Sequence, residues 1–218
     1  MNRLPRGSIA AALALSVSLG AVAVSSPYVA LRGSLAFPGD MESTLLGSQL
    51  RTSMDTGWNA SIALGQDSEW LGLRLELEGI YGKFTPNKVT SGAVSTSISG
   101  DVDMGASMVN AVWDIPVERW WPDADLVVRP FVGAGLGAVY VALNPQSAGV
   151  IAIDQDDTWT WGYQLTAGFA VPLSQTTDLT FQYRYLDAPN VSLHGVTGAT
   201  YKTSFSMSSI GMGLEFRF

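Results

Sequence analysis

The feature that most constrains this chain is a strict alternation of apolar and polar residues along most of its length. From Trp159 to Val171 every odd position is apolar, and the even positions carry small or polar side chains. The odd positions from Leu71 to Leu77 are all leucine. Side chains of a β-strand point to opposite faces in turn, so this period predicts strands with one apolar face. The 23 glycines and 10 prolines also argue against a bundle of long helices.

The alternation recurs eight times and predicts eight strands. They are expected near 28–37, 56–65, 70–84, 102–115, 126–143, 158–172, 178–187 and 201–218. Which side chains of the fourth and fifth strands point inward is left open. Pro130 in the fifth strand is expected at a bulge or a rim, because proline has no N–H to donate to a neighbouring strand.

The connections between these strands alternate in length. The short ones are Gly65–Glu69, Pro116–Asp125 and Pro172–Thr177, and the longer, polar ones are Pro38–Asp55, Thr85–Asp101, Asn144–Asp157 and Ala188–Thr200. Short turns on one rim and long loops on the other are typical of outer-membrane barrels. An even number of strands puts both termini on the short-turn side, which we expect to be periplasmic.

Two eight-stranded barrels use this alternation with opposite polarity. A soluble, lipocalin-like carrier turns its apolar face inward, and a membrane barrel turns it outward to lipid. Charged residues make up 14% of the chain, against about 25% in soluble domains, which favours the membrane barrel. The polar faces carry both signs of charge, which suits an enclosed network. Its expected members are Arg32, Arg74, Glu76, Glu78, Gln164, Gln182, Arg184 and Glu215.

Aromatic residues cluster near the predicted strand ends and predict two belts at headgroup level. The belt at the long-loop rim would contain Phe37, Trp58, Tyr81, Phe84, Tyr140, Trp159 and Tyr201. The belt at the short-turn rim would contain Trp70, Trp120, Trp121 and Phe218.

The first residues have the pattern of an export signal. Two arginines precede Gly7, the segment from Ile9 to Val24 is mostly Ala, Leu and Val, and Ala21–Ala23 fits the small-x-small cleavage rule. This predicts a signal peptide over 1–23 and a barrel domain over 24–218. A membrane-spanning helix is the alternative, and the serines in the segment and the absence of a following charge cluster count against it.

The last strand and three internal stretches carry a family resemblance. Apolar residues occupy every second position up to the last residue of the sequence, namely Ile210, Met212, Leu214, Phe216 and Phe218. This pattern resembles the C-terminal assembly signal of Gram-negative outer-membrane barrels. With Arg129–Gly137, Gly162–Phe169 and Leu179–Asp187, the chain is similar to small porin-like or opacity-type outer-membrane proteins, which belong with the OmpA/OmpX-like barrels.

That resemblance implies a location and partners but no chemistry. It implies an outer-membrane location, with lipid, lipopolysaccharide and the barrel assembly machinery as partners. The family includes structural proteins, adhesins and weak pores. A structural or surface-interaction role through four extracellular loops is therefore expected. The alternative is a narrow passive pore whose ion selectivity depends on Arg74 and Glu76. A minor alternative is a lipid-modifying enzyme of the outer membrane.

Few residues offer other chemistry. The chain has no cysteine, which excludes disulfides, thiol nucleophiles and cysteine metal ligands. Its net charge of −7 disfavours nucleic acid as a partner. The single histidine, His194, has Ser192 nearby but is interpreted as a solvated loop residue, and the aspartates at 154, 156 and 157 are interpreted as a solvated acidic loop rather than a cation site. We expect no catalytic residue, metal or cofactor.

The three lysines fall near the long-loop rim and suggest one further contact. Lys83, Lys88 and Lys202 would either reach phosphates of lipopolysaccharide or extend to water as lysines do at membrane surfaces. The sequence does not distinguish these two interpretations.

Overall fold

The computed structural model describes residues 25–45, 48–68, 72–91, 94–97, 99–117, 128–147, 156–194 and 200–218. The expected signal peptide lies outside the described residues and stays a prediction, as does the proposed belt position of Trp70, Trp120 and Trp121. Within the described ranges, no helix has the length and apolar character to cross a membrane.

Twelve strands make up the described chain. They are β1 (Ser25–Pro38), β2 (Met41–Leu45), β3 (Ser48–Met54), β4 (Gly57–Asp67), β5 (Leu73–Phe84), β6 (Pro86–Ser91), β7 (Val94–Ser97), β8 (Ser99–Asp114), β9 (Arg129–Ser147), β10 (Asp156–Pro172), β11 (Thr177–His194) and β12 (Thr200–Arg217). Eight of them close into an antiparallel barrel in the order β1-β12-β11-β10-β9-β8-β5-β4. The prediction of an eight-stranded antiparallel barrel is confirmed.

The other four strands form a second sheet that the sequence analysis missed. Its order is β2-β3-β6-β7, and it is built from the segments 38–55 and 85–101, which were expected to be loops. The central pairing joins β3 to β6, from Leu50 opposite Ser91 to Met54 opposite Pro86. This pairing joins two different connections at the same rim, so a periodicity within one connection does not reveal it. We call this element the rim sheet.

The first and last strands close the barrel. β1 pairs with β12 from Tyr28 opposite Arg217 to Pro38 opposite Met207. Pro130 is the second residue of β9 and lies at the short-turn rim, where its missing N–H interrupts the ladder least. β11 and β12 shift register between Ala188 and Val191, around Pro189.

The apolar face of the barrel wall points outward over most of its height. Leu35, Leu136 and Ile210 are each more than 60% exposed on the outer surface. The two strands whose facing was open follow the same rule, with Val109 of β8 outside and Asn110 buried inside, and with Gly135 of β9 inside. The lipocalin-like alternative, with its apolar face inward, is therefore wrong.

Candidate functional site: the barrel lumen

The lumen is divided into two layers of different chemistry. Toward the short turns lies an ion-pair layer of buried polar side chains, defined here as Tyr28, Arg32, Arg74, Glu76, Glu78, Asn110, Gln164, Gln182, Arg184 and Glu215. Toward the long loops lies an apolar layer of fourteen described residues. They are Ala36, Ile80, Phe84, Val102, Met104, Ala106, Met108, Val139, Val141, Leu186, Ala188, Val191, Phe205 and Met207.

Glu78 of β5 lies at the centre of the ion-pair layer. Its Oε1 accepts hydrogen bonds from Arg32 Nη1 at 3.2 Å and Arg184 Nη2 at 2.5 Å. Its Oε2 accepts from Asn110 Nδ2 at 3.0 Å and Gln164 Nε2 at 2.9 Å. Four strands besides β5 therefore converge on one carboxylate that is 1% exposed. A buried charge of this kind is tolerable only when it is paired and hydrogen-bonded, as it is here.

Glu76 lies two residues earlier on the same face and binds the first strand. Its Oε1 accepts from Tyr28 Oη at 2.8 Å and from Arg32 Nη2 at 2.7 Å. The Tyr28 ring occupies the space over Gly65, where a Cβ would lie 2.1 Å from Tyr28 Cζ. Only glycine at position 65 lets this tyrosine lie across the lumen.

A second group of ion pairs closes the short-turn end. Arg74 donates to Glu215 Oε2 at 2.8 Å and to Asp114 Oδ1 at 2.9 Å. Arg217 donates to carboxylates of three strands. Its partners are Asp67 Oδ2 at 2.5 Å, Asp178 Oδ2 at 3.0 Å and Glu215 Oε1 at 2.5 Å. Asp178 also pairs with Arg129. Arg217 thus connects β4, β11 and β12 across the seam where β1 meets β12.

All eight polar residues expected in the lumen are buried there, between 1% and 9% exposed. Seven of them hydrogen-bond to another member of the layer, whereas Gln182 Nε2 has no partner among the described residues. Four further contributors, Tyr28, Asn110, Asp178 and Arg217, were not among the predicted residues. Each of them has the inward parity of its strand, so alternation alone could have identified them.

Little space remains in the ion-pair layer. The described cavity is about 10 Å³, room for about one water molecule. The glycines of β9 do not open a path, because neighbouring side chains fill their space. A Cβ at Gly135 would lie 1.9 Å from Asn110 Oδ1, and one at Gly137 would lie 2.7 Å from Met108 Sδ.

The apolar layer was not expected, because the inward faces were interpreted as small or polar. Phe84 is a residue whose predicted position was wrong. It was assigned to the aromatic belt, but it is 1% exposed, and its ring packs against Phe205 in the lumen with centroids 5.8 Å apart. Its even position gives it the inward parity of β5, which also carries Arg74, Glu76 and Glu78.

Other aromatic residues of the predicted belt lie on the outer surface near the long-loop rim. Trp58 and Tyr81 form an edge-to-face pair at 5.8 Å, and Tyr140 and Trp159 pack at 5.1 Å. Phe37, near the end of β1, is 44% exposed, and the side chain of Tyr201 lies outside the described residues. Aromatic side chains at this height are the usual marker of a membrane–water interface.

The structure places some of the remaining predicted positions. Lys83 faces outward beside Trp58 and pairs with Asp101 at 3.3 Å, and Lys88 is exposed on the rim sheet. The side chains of Lys202, His194 and the aspartates at 154, 156 and 157 lie outside the described residues. Three apolar residues of β12, Ile210, Met212 and Leu214, are exposed, as is Phe218 just after the strand, whereas Phe216 is half-buried.

The closed eight-stranded barrel, its apolar outer wall and its charged lumen define the class of small outer-membrane barrels. The chain belongs to the family described as "Outer membrane protein beta-barrel domain", whose sequence pattern matches residues 9–218. It is therefore a bacterial outer-membrane protein.

A curated relative and three solved structures agree with that assignment. An outer membrane protein of Gluconacetobacter diazotrophicus is 27% identical over 190 residues, covering 78% of this chain and 49% of the relative. This chain thus spans about half the length of the curated relative. OprG of Pseudomonas aeruginosa (TM-score 0.58, 16% identity) and Neisserial surface protein A (0.52, 16%) each cover 88% of this chain with 97% of their own. AlkL (0.51, 17%) covers 100% of this chain with 97% of its own. These structural likenesses show the fold.

Proposed function

We propose that this protein is a non-conducting outer-membrane barrel with a structural or cell-surface interaction role, exercised through its long-loop rim. The observation that carries the proposal is the filled lumen. The half toward the short turns is filled by charged side chains that bind one another, with a cavity of about 10 Å³. The half toward the long loops is filled by apolar side chains, most of them fully buried. We expect the described side chains of this lumen to leave a solute no continuous path.

The rim sheet is the surface that would meet a partner. Its strands come from two long connections, and Met54 at the end of β3 packs against the apolar layer. Arg51 pairs with Asp40 at 2.7 Å, and Asn87 Nδ2 donates to Asp55 Oδ1 at 2.8 Å. This element therefore presents an ordered polar platform rather than separate loops, and ordered platforms lower the entropy lost on binding.

Single-channel recording tests the closed lumen. Purified protein that shows the heat-dependent gel shift of a folded barrel is inserted into a planar bilayer. We expect no reproducible conductance steps. Stable steps whose ion selectivity changes with Arg74→Gln or Glu76→Gln would contradict the proposal and support the alternative, a narrow passive pore.

The orientation is part of the same proposal. With both termini periplasmic, the rim sheet lies outside the cell. The chain has no cysteine, so single cysteines report topology directly. On intact cells, a membrane-impermeant maleimide should label Asn87→Cys and leave Ser174→Cys, in the turn between β10 and β11, unlabelled. The reverse labelling would mean the opposite orientation.

We further propose that the rim lysines contact lipopolysaccharide phosphates. Lys83 lies at the height of Trp58, where headgroups are expected. Its ion pair with Asp101 weakens the attraction of Lys83 for phosphate. We therefore expect Lys88 and Lys202 to contribute more than Lys83 to lipopolysaccharide binding. Replacing all three lysines with Gln should reduce the amount of lipopolysaccharide that copurifies with the protein. An unchanged amount would contradict the proposed contact.

Catalysis is not part of the proposed role. His194 is the residue on which a lipid-modifying activity would depend, because it is the only histidine in the chain. Should turnover of a lipid substrate be observed and His194→Ala abolish it, the protein would be an enzyme after all.

A further inference from the structure

The two layers of the lumen are not equivalent as barriers to ions. Resting on the proposed closed state, we propose that the apolar layer is the permeation barrier of this barrel, a hydrophobic gate at the long-loop end. The ion-pair layer, toward the short turns, has room for about one water molecule at rest. Its polar groups would take up further water as the side chains rearrange, so it would conduct if the apolar layer were wetted.

The ion-pair layer retains unused hydrogen-bonding capacity. Arg184 is 1% exposed, yet its Nε and Nη1 have no partner among the described residues. The same holds for Gln182 Nε2, Thr180 Oγ1 and Ser209 Oγ. Thr180, Gln182 and Arg184 also line the cavity. Buried polar groups of this kind destabilise a protein when they are left unsatisfied, so this layer favours entry of water.

Charged side chains around a lumen also stabilise the ions that enter it. Rings of charged groups act as selectivity filters in channels, since they replace part of the hydration shell of an ion. The three most buried guanidinium groups, those of Arg32, Arg74 and Arg184, are matched by the carboxylates of Glu76, Glu78 and Glu215. The layer is thus electrically balanced and excludes neither sign of ion by itself.

The apolar layer offers an ion nothing comparable. Val102, Met104, Val141, Leu186 and Phe205 are at most 1% exposed, and they come from β8, β9, β11 and β12. Moving an ion from water into such surroundings is far more costly than burying a neutral polar group. Narrow apolar constrictions block conduction by expelling water.

The composition of this layer also lets it rearrange. Met104, Met108 and Met207 belong to it, and unbranched methionine adopts many shapes at low cost. Asn59 Nδ2 donates to Met207 Sδ at 3.7 Å, so a polar group already touches the lower edge of the layer. Wetting would need a change in side-chain polarity there and no movement of the barrel strands.

Near-isosteric polar substitutions in the apolar layer test the proposal. Met104→Gln combined with Leu186→Asn roughly keeps the length and branching of the side chains and changes their polarity. Met104→Leu with Leu186→Met is the matched control, which keeps the layer apolar. In the ion-pair layer, Glu78→Gln with Arg184→Gln removes one buried charge of each sign. All three proteins must first show the heat-dependent gel shift.

In planar bilayers we expect repeated conductance steps from the Gln/Asn variant and none from the control or from the ion-pair variant. A folded but silent Gln/Asn variant would overturn the gate while leaving the closed barrel intact. Steps from the ion-pair variant alone would place the barrier in that layer instead. Steps from the unmodified protein would refute the proposed function itself, so the two failures are distinguishable.

A measurement on the unmodified protein covers the case in which the polar variant does not fold. Water-edited solid-state NMR in lipid bilayers reports which side chains receive magnetisation from water. Thr180 and Gln182 should build up signal early, and Val141 and Leu186 late. Equal build-up in both layers would contradict a dry apolar gate next to a polar layer that water reaches.

Discussion

Removing the charge of Glu78 should be among the most destabilising single changes in this barrel. The carboxylate is 1% exposed and accepts four hydrogen bonds, two from guanidinium groups and two from amides. Glu78→Gln keeps the shape of the side chain. If its oxygen stays toward Arg32 and Arg184, its NH₂ faces the Asn110 and Gln164 donors, so donors oppose donors and two guanidinium groups share a neutral oxygen.

The expected magnitude follows from that geometry. Removing one partner of a buried ion pair costs about 3–5 kcal/mol, because the other charge stays buried without compensation. Arg184 loses its only described ion pair, whereas Arg32 retains Glu76 at 2.7 Å. We therefore expect a loss of about 3–5 kcal/mol in the free energy of unfolding, and a smaller combined loss than the sum when Arg184→Gln is added, with a coupling of about 0.5–3 kcal/mol.

Urea titration of the barrel in lipid vesicles, followed by tryptophan fluorescence and by the gel shift, measures this change. Lys83→Gln is the matched control, since its pair with Asp101 is 3.3 Å long and about 40% exposed on each side, and exposed pairs contribute about 0–1 kcal/mol. The reasoning fails if Glu78→Gln costs no more than Lys83→Gln, or if the double variant shows no coupling between Glu78 and Arg184.

Three further changes can be followed by the same titration. Gly135→Ala should destabilise the barrel by about 1–3 kcal/mol through overpacking, because its Cβ would clash within the lumen, whereas Gly33→Ala, which meets nothing within 4 Å, should change little. Arg217→Gln should lower the urea midpoint far more than Arg51→Gln, because Arg217 binds three carboxylates at the closing seam and Arg51 is 61% exposed with one partner; equal midpoints would exclude the seam contact as a stabiliser. Trp159→Ala should lose about 0.5–1.5 kcal/mol from its aromatic pair, and Trp159→Tyr should recover part of it; a Tyr variant as weak as the Ala variant would argue against an aromatic effect.

Most of the fold follows from alternation because a one-residue shift in register would turn every apolar side chain of a strand to the wrong face. The run from Trp159 to Val171 fixes its strand without any tertiary information. The ends of the strands were harder to predict from the sequence. β11 continues to His194, seven residues past the predicted end at 187, because pairing with β12 resumes after the irregularity at Pro189. A proline in a single sequence indicates the break but not the resumption.

The membership of the lumen could be predicted in part, but its contacts could not. Parity places Arg32, Glu78 and Arg184 on inward faces, yet which carboxylate meets which guanidinium depends on the registers of all eight strands. Arg217 and Asp67, whose side chains meet at 2.5 Å, are 150 positions apart. No local pattern encodes that pairing, because it arises only when the last strand closes on the first.

The apolar layer was missed for a physical reason that also locates the membrane surface. Near the long-loop rim the polarity of the wall inverts. On β8, Asp101 and Asp103 face outward while Val102 and Met104 are buried inside, and on β12 the outward Ser206 lies between buried Phe205 and Met207.

A strand surrounded by lipid turns its apolar face outward, whereas a strand surrounded by water turns it inward. The inversion occurs at the height of Tyr81 and Tyr140, where the aromatic belt lies, so two independent features mark the same boundary. Above that boundary the barrel wall is organised like a soluble protein, and burial of its inward side chains from water is what stabilises the apolar layer. Part of the lumen that we propose to exclude ions, at Val102, Met104 and Phe205, therefore lies where the outer wall faces water.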